Sequence, residues 1–166
     1  MLQKVMVVND NELLLMIAKK VIAISDFAQE TITATDGLQA LAYFDELLEE
    51  KGHKSLDIPE FMFLDLHMPG MDGWEFLEIF TEKYQTYFPN LKIAILSASV
   101  DMTDMLMLVK YPMVVDFINT ASDETVLSNI KAKFFNAVPV NAYYTGSLKQ
   151  KIHHIFIQID NKYHLL

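Results

Sequence analysis

The sequence predicts an α/β fold in which a five-stranded parallel sheet carries helices on both faces and is followed by a C-terminal extension. Short apolar runs alternate along the chain with amphipathic segments, which is the pattern that repeated β-α units produce. The 166 residues, 52% of them hydrophobic and 21% charged, are enough for one domain with a sizeable core. Disorder is not expected from such a composition.

The apolar runs predict five strands, at residues 4–8, 28–34, 58–64, 91–96 and 114–118. Amphipathic patterns predict helices at about 11–25, 37–51, 73–85, 102–110 and 123–135. Two helix starts resemble capping boxes, in which an acid is followed three residues later by Gln or Glu: Asp36 to Gln39, and Asp72 to Glu75. In a parallel sheet of order 2-1-3-4-5, the first and third strands lie side by side.

Composition excludes several functions. The chain has no cysteine, which rules out disulfides, zinc-thiolate sites and cysteine nucleophiles. All 13 basic residues are lysine and the net charge is −9, so direct binding of nucleic acid is not expected. No apolar stretch is long enough to cross a membrane, and the apolar run at 5–8 is too short for a signal peptide. We expect a cytoplasmic protein without membrane contact.

The last 31 residues differ from the rest of the chain. Residues 1–135 carry 10 Lys and 21 acidic residues, a net charge of −11, whereas residues 136–166 carry +2. The apolar residues from Ile152 to Ile159 fit a strand or a helix equally well. We expect one domain over 1–135 and an extension over 136–166, which is a dimerisation element, a docking element or a non-native extension. A homodimer is therefore one of the expected assemblies.

Two acids follow neighbouring strands of this sheet. Asp65 ends the apolar run before Met-Pro-Gly-Met-Asp-Gly, and Asp10 follows the first strand. Because the carboxyl ends of parallel strands meet at one edge, both carboxylates are expected there, and they repel unless a proton or cation lies between them. Hard oxygen ligands suit Mg²⁺ or Mn²⁺. The structural alternative is that Asp10 only caps the first helix.

Two further residues, one at the end of the fourth strand and one in the fifth, are candidates for the same site. Ser97 ends the fourth strand, where its hydroxyl can donate a hydrogen bond to an anion, although a Ser in an ordinary turn is the alternative. Phe117, in the fifth strand, is either a core residue or a partly exposed aromatic that moves in switching.

These features resemble the receiver domain of two-component response regulators, a family with a flavodoxin-like fold that includes the bacterial chemotaxis regulator. The resemblance covers about residues 3–135 and rests on three motifs: Val-Val-Asn-Asp after strand one, Phe-Leu-Asp-Leu-His-Met-Pro-Gly-Met-Asp-Gly-Trp-Glu around Asp65, and Leu-Ser-Ala-Ser after strand four. The motif around Asp65 is the specific one.

The resemblance implies a role for each residue of the site. Asp65 matches the aspartate that accepts a phosphoryl group from a histidine kinase or phosphotransfer protein. Asp10 matches a metal-binding acid, and His67 matches the position whose main-chain carbonyl completes the metal site. Ser97 matches the hydroxyl that contacts the phosphoryl group, and Phe117 matches the aromatic that moves inward with it.

Two positions depart from the family pattern. The family usually carries two acids after strand one, and here the first is Asn9, which can still offer a carbonyl oxygen to a metal. The family usually carries Lys-Pro after strand five, where this chain has Thr120 and Ala121. In the family this lysine pairs with the phosphoacceptor and then with the phosphoryl group. Without it the site lacks a charge-assisted hydrogen bond of about 1.5–3 kcal/mol. Metal binding is expected to survive in weakened form.

The leading functional prediction is a stand-alone receiver that signals to an unidentified downstream protein and catalyses at most its own phosphorylation and dephosphorylation. The 31 residues after 135 are too few for a usual output domain. The alternative is a pseudo-receiver, a binding module that acts independently of phosphorylation. A metal-dependent phosphohydrolase is less favoured because His67 occupies the position where those enzymes carry a second acid. An FMN-binding protein is disfavoured because no Ser/Thr/Gly-rich loop follows strand one.

Overall fold

The computed structural model describes residues 1–49, 58–97, 104, 107 and 110–119. The elements in that part are, in order, β1 (Leu2–Val8), α1 (Glu12–Ile24), β2 (Ala28–Ala34), α2 (Gly37–Glu49), β3 (Phe61–Asp65), α3 (Gly73–Lys83), β4 (Lys92–Ser97) and β5 (Val114–Asn119). The helix predicted at 102–110 lies largely outside the described residues. The helix predicted at 123–135 and the extension over 136–166 lie wholly outside them.

The five strands form one parallel sheet in the order β2-β1-β3-β4-β5, which confirms the predicted order. Val8, the last residue of β1, is paired with Ala34 of β2 and with Leu64 of β3. On the other side of β3, Asp65 is paired with Leu96 of β4. The carboxyl ends of β1, β3 and β4 therefore meet at a common edge of the sheet.

The third strand has different bounds from those predicted. It begins at Phe61 rather than at Ile58 because Pro59 has no N–H to give to a strand ladder. It also extends one residue further, because Asp65 is still paired with Leu96. Asp65 is therefore the last residue of the strand and is held by the sheet, rather than lying in the loop beyond it.

The strands alternate between two cores, which places helices on both faces of the sheet as predicted. On β1, Val5 and Val7 face the core beneath α1, while Met6 and Val8 face the core beneath α2 and α3. The core beneath α2 and α3 is rich in aromatic rings. Among them, the ring centroids of Phe44 and Phe80 lie 5.0 Å apart. Both cores consist of buried apolar side chains, which hold the helices against the two faces of the sheet.

One predicted capping box is complete and the other is altered. At the start of α3, Asp72 Oδ1 accepts a hydrogen bond from the Glu75 N–H over 2.8 Å, and Glu75 Oε2 accepts one from the Asp72 N–H over 3.1 Å. At the start of α2, Asp36 Oδ1 accepts from the Gln39 N–H over 2.7 Å. In a regular capping box the Gln39 side chain would bond to the N–H of Asp36. Its Oε1 instead accepts a hydrogen bond from the N–H of Thr35, one residue earlier.

Helix α1 buries only a narrow stripe. Leu15 and Ile22 are its buried residues, whereas Leu13 is 58% and Met16 62% exposed. Exposed apolar side chains continue to the end of the helix, where Ile24 is 75% exposed. None of the helices in the described part of the chain is long and apolar enough to cross a membrane.

Candidate functional site

The carboxyl ends of β1 and β3 bring Asn9 and Asp65 into direct contact. Because Val8 is paired with Leu64, the residues that follow them lie side by side. The Asn9 side chain donates a hydrogen bond from Nδ2 to Asp65 Oδ2 over 2.7 Å. The carboxyl edge of the strands is where open α/β sheets bind their ligands, so we take this edge as the candidate functional site.

Asn9 is a buried polar residue, with 4% of its surface exposed. Its main-chain N–H donates to the carbonyl of Ala34 over 3.1 Å, which extends the contact between β1 and β2 by one residue. Its side-chain Oδ1 accepts a hydrogen bond from the Asn11 N–H over 2.9 Å. Both ends of the Asn9 amide are therefore engaged, one by the following loop and the other by Asp65.

Asp65 is half-buried, and both of its carboxylate oxygens accept hydrogen bonds. Oδ1 accepts from the main-chain N–H of His67 over 3.0 Å, and Oδ2 accepts from Asn9. Burial raises the pKa of Asp65, and the negative charge of Asp10 raises it further. The main-chain hydrogen bond and the charge of His67 oppose that rise without cancelling it. The surroundings of Asp65 therefore disfavour its ionised form, and carboxylates with such a raised pKa are common at functional sites.

Asp10 does not cap α1. The cap is Asn11, whose Oδ1 accepts hydrogen bonds from the N–H groups of Leu13 and Leu14 over 3.0 and 3.2 Å. The structural alternative for Asp10 is therefore wrong. Asp10 is exposed at the same edge as Asp65, near enough for its charge to act on that carboxylate.

The loop from β3 to α3 is held by close main-chain contacts. Gly73 donates its N–H to the carbonyl of Leu66 over 3.1 Å. A Cβ at Gly73 would overlap the main-chain oxygen of Asp65 and come within 2.8 Å of the Cα of Leu66. Gly70 turns the chain with φ +83°, a conformation that favours glycine. The two glycines let α3 begin directly against the residue that carries the site.

The backbone of β4 and β5 places two further predicted residues near this edge. Ser97 is the last residue of β4 and follows Leu96, the partner of Asp65. Phe117 lies in β5 opposite Ile95. The side chains of Ser97 and Phe117 lie outside the described part of the chain, as does Thr120. Their roles stay predictions.

The oxygen donors at this edge suit a hard divalent cation such as Mg²⁺. Asp10 and Asp65 supply two interacting carboxylates. Asn9 turns its NH₂ group toward Asp65, and an amide NH₂ cannot ligate a cation. Among the described residues, no group of three or more His, Cys, Asp or Glu side chains is placed to hold a metal ion. The fitting side-chain ligands are therefore Asp10 and Asp65, which leaves a main-chain oxygen or water for the rest.

Sequence reasoning missed two features of the site. It did not assign Asn11 as the cap of α1, although Asn is a favoured capping residue and Glu12 then falls in the first turn. It also offered Asn9 as an oxygen ligand, whereas the structure directs the Asn9 nitrogen at Asp65. The signal for the cap was present in the sequence. The direction of the amide depends on Asn11 and Asp65 together, and no local pattern reveals it.

Residues 5–130 match the response regulator receiver domain family. The match covers most of the chain, and the chain therefore belongs to that family. No curated protein sequence matches the chain.

Solved structures of response regulators share the fold. A two-component response regulator from Cytophaga hutchinsonii is 22% identical with a TM-score of 0.69, and the match covers 82% of this chain and 98% of that one. One from Legionella pneumophila is 19% identical with a TM-score of 0.64, covering 81% and 99%. A CheY-like receiver domain protein from Methanospirillum hungatei JF-1 is 18% identical with a TM-score of 0.63, covering 82% and 96%.

Proposed function

We propose that this receiver domain accepts a phosphoryl group on Asp65 from a histidine kinase or phosphotransfer protein and signals by contact with a downstream protein. One observation carries the proposal. Asp65 is a half-buried carboxylate at the carboxyl end of β3, and its burial and the charge of Asp10 together raise its pKa. A half-buried carboxylate with a raised pKa at the ligand-binding edge of a sheet is a candidate acceptor for a phosphoryl group.

The chemistry needs few protein groups. One oxygen of Asp65 forms a bond to phosphorus while the bond between phosphorus and the donor's histidine nitrogen breaks, and the electron pair of that bond stays on the imidazole. Such transfers depend on positioning and electrostatics more than on covalent help from the protein. His67 and Asn9 supply the positioning, because each donates a hydrogen bond to a different oxygen of Asp65.

Asp10 and Asp65, with the main-chain carbonyl of His67, are the groups that would hold Mg²⁺ or Mn²⁺. When bound, the cation would offset the charge on the carboxylates and on the incoming phosphoryl oxygens. The exposure of Asp10 supports this role, because a cation can reach its carboxylate from solvent. The carboxylate is also not engaged in the cap of α1, which Asn11 provides.

The remaining predicted roles belong to the same proposal. Ser97 would contact the phosphoryl group and Phe117 would follow it, which is supported by the position of Ser97 at the end of β4, beside β3. The domain would span 1–135 as a stand-alone cytoplasmic receiver, with 136–166 as an extension of it. Apart from its own phosphorylation and dephosphorylation, the chain would not act as an enzyme.

The phosphodonor must approach the edge that carries Asp65. Helix α1 begins at that edge, because Asn11 caps it two residues after Asn9. The exposed side chains of Leu13 and Met16 follow directly. Exposed apolar side chains that adjoin a reactive group are suited to a protein partner, which supports a docking role for the first two turns of α1.

Phosphoryl labelling tests the proposal. We expect the intact protein, incubated with acetyl phosphate and Mg²⁺, to gain one phosphoryl group by mass spectrometry. Asp65→Asn should remove the label, because an amide is not a phosphoryl acceptor. Asp36→Asn is the matched control: it also removes one carboxylate, but Asn can keep the hydrogen bond to the Gln39 N–H, so the label should remain. An unlabelled wild-type protein under conditions that label an ordinary receiver would contradict the proposal.

The second candidate is a pseudo-receiver whose partner contacts do not depend on phosphorylation. The hydrogen bond from Asn9 to Asp65 favours it, because that bond already satisfies one carboxylate oxygen without a cation or a phosphoryl group. The two candidates separate in the same labelling experiment. A pseudo-receiver gains no phosphoryl group, and Asp65→Asn leaves its partner binding unchanged.

A further inference from the structure

We propose that Asn9 is a positioning residue whose NH₂ group holds the Oδ2 atom of Asp65 and competes with a divalent cation for that oxygen. The inference rests on the proposed function in that Asp65 is taken as the reactive group. It differs from the expectation that Asn9 is a weak cation ligand, since it gives Asn9 the opposite effect on cation affinity.

The direction of the Asn9 amide follows from its two partners. The Asn11 N–H is a donor only, so the atom of Asn9 that faces it must be the acceptor Oδ1. The Asp65 carboxylate, when ionised, is an acceptor only, so the atom that faces it must be the donor Nδ2. Reversing the amide would set donor against donor and acceptor against acceptor. The orientation is therefore determined by chemistry, although the N and O atoms of an amide look alike.

The position of Asn9 makes its amide hard to turn aside. The residue is 4% exposed, and its main-chain N–H is bonded to the carbonyl of Ala34. Turning the side chain away would leave the N–H of Asn11 without this acceptor and would break a bond of 2.7 Å to a charged oxygen. A buried donor that loses its partner destabilises the protein, and bonds to charged groups are the stronger ones.

The bond from Asn9 disfavours a cation at the same oxygen. A cation that binds Oδ2 of Asp65 meets the positive end of the Asn9 amide dipole and finds one lone pair of that oxygen already used. Oδ1 is also engaged, by the N–H of His67. A cation at Oδ2 therefore competes with the Asn9 hydrogen bond for the electron density of that oxygen. An acid at position 9, which the family usually carries, would instead attract the cation.

Mg²⁺ titrations of the full chain distinguish a competitor from a ligand. Trp74, the chain's one tryptophan, follows Gly73 and reports on the β3–α3 loop by fluorescence, and calorimetry provides an independent reading. We expect Asn9→Ala to bind Mg²⁺ about tenfold more tightly than wild type. The reason is that the cation no longer competes with a charge-assisted hydrogen bond for Oδ2 of Asp65. Asn9→Asp should bind more tightly still. The control Asn11→Asp adds the same charge, keeps the cap of α1 and should change the affinity about twofold or less.

A weaker or unchanged Mg²⁺ affinity in Asn9→Ala would overturn the inference, because a ligand that is removed lowers affinity. If that variant does not fold, the side-chain NH₂ resonances of Asn9 in the wild-type protein decide the question. They are assigned by their loss in Asn9→Asp. Their chemical shifts should change during the Mg²⁺ titration, with the same midpoint as cation binding. Chemical shifts that stay fixed when Mg²⁺ is saturating would also overturn the inference. So would an absence of Mg²⁺ binding in every variant. Phosphoryl labelling of Asp65 is read separately, so the proposed function can fail while the effect of Asn9 on Mg²⁺ stands, and the reverse.

Discussion

The loop after β1 is held by side-chain amides, whereas the loop after β3 is held by close main-chain contacts as well as by the capping box of α3. After β1, Asn9 bonds to Asp65 and Asn11 bonds to the first turn of α1. After β3, Gly73 lies so close to the main chain of Asp65 that no side chain fits there. The two loops meet at one carboxylate, yet we expect them to tolerate substitution differently.

This difference separates residues that keep the site folded from residues that adjust its binding and its pKa values. A side-chain hydrogen bond can be exchanged for another of similar size, so the loop after β1 can vary in charge while the chain stays folded. A main-chain contact without room for a Cβ cannot be exchanged. We therefore expect substitutions in the loop after β3 to act on stability, and substitutions in the loop after β1 to act on binding and pKa. The predictions below test this expectation, from the largest effect to the smallest.

Gly73→Ala should lower the free energy of unfolding by about 3 kcal/mol, at the upper end of the usual range for overpacking. Its Cβ meets main-chain atoms of Asp65 and Leu66, which cannot move away without shifting β3. Gly37→Ala is the matched control, because its Cβ meets chiefly the flexible side chain of Met71, with the nearest atom at 2.6 Å. We expect its cost to be about 1 kcal/mol or less, since Ala also favours the helix. Urea denaturation followed by circular dichroism measures both, and equal costs would contradict the comparison.

The two helix caps should differ by a smaller amount. Asp72→Ala removes a reciprocal capping box from α3 and should cost about 1–2 kcal/mol. Asn11→Ala removes a single accepting oxygen from α1 and should cost about 1 kcal/mol. The main-chain N–H of Asn11 still bonds to Asn9 in that variant, so the site should keep its geometry. Thermal unfolding monitored by Trp74 fluorescence compares the two variants. A larger loss of stability in Asn11→Ala than in Asp72→Ala would contradict the expectation that the loop after β3 matters more for stability.

Asp10→Asn should change stability little and should lower the pKa of Asp65, because the charge of Asp10 is one of the causes that raise it. The sign for stability follows. A carboxyl whose folded pKa is raised contributes stability that is fully present below its unfolded pKa and is lost as the pH rises through its folded pKa. With Asp10 neutral, that loss should be smaller and complete at a lower pH. A ¹³C NMR titration of the Asp65 carboxyl carbon measures the shift, with Asp36→Asn as the control that leaves it unchanged. An Asp65 pKa that stays the same in Asp10→Asn would show that the two carboxylates do not interact.

The fold was predictable because its signals are local and repeated. Five apolar runs separated by helical patterns specify β-α units, and the observed strands overlap all five predicted ranges. The errors occur at element ends. Pro59 delays the start of β3, and pairing with Leu96 draws Asp65 into the strand. The signal from Pro59 was present in the sequence, whereas the end of β3 depends on a partner in a neighbouring strand, which the periodicity of one segment does not contain.

The sequence by itself determined which residues could form the site: a carboxylate after an apolar strand, a second acid after the first strand, and an asparagine where the family has an acid. These are properties of residue type and spacing. Only the tertiary structure decided what the asparagine does, because the direction of the Asn9 amide depends on a donor from Asn11 and an acceptor from Asp65 that is 56 residues away. Hydrogen bonds are directional, and a side-chain amide carries an accepting oxygen and a donating nitrogen. The fold, by placing both partners, selected nitrogen.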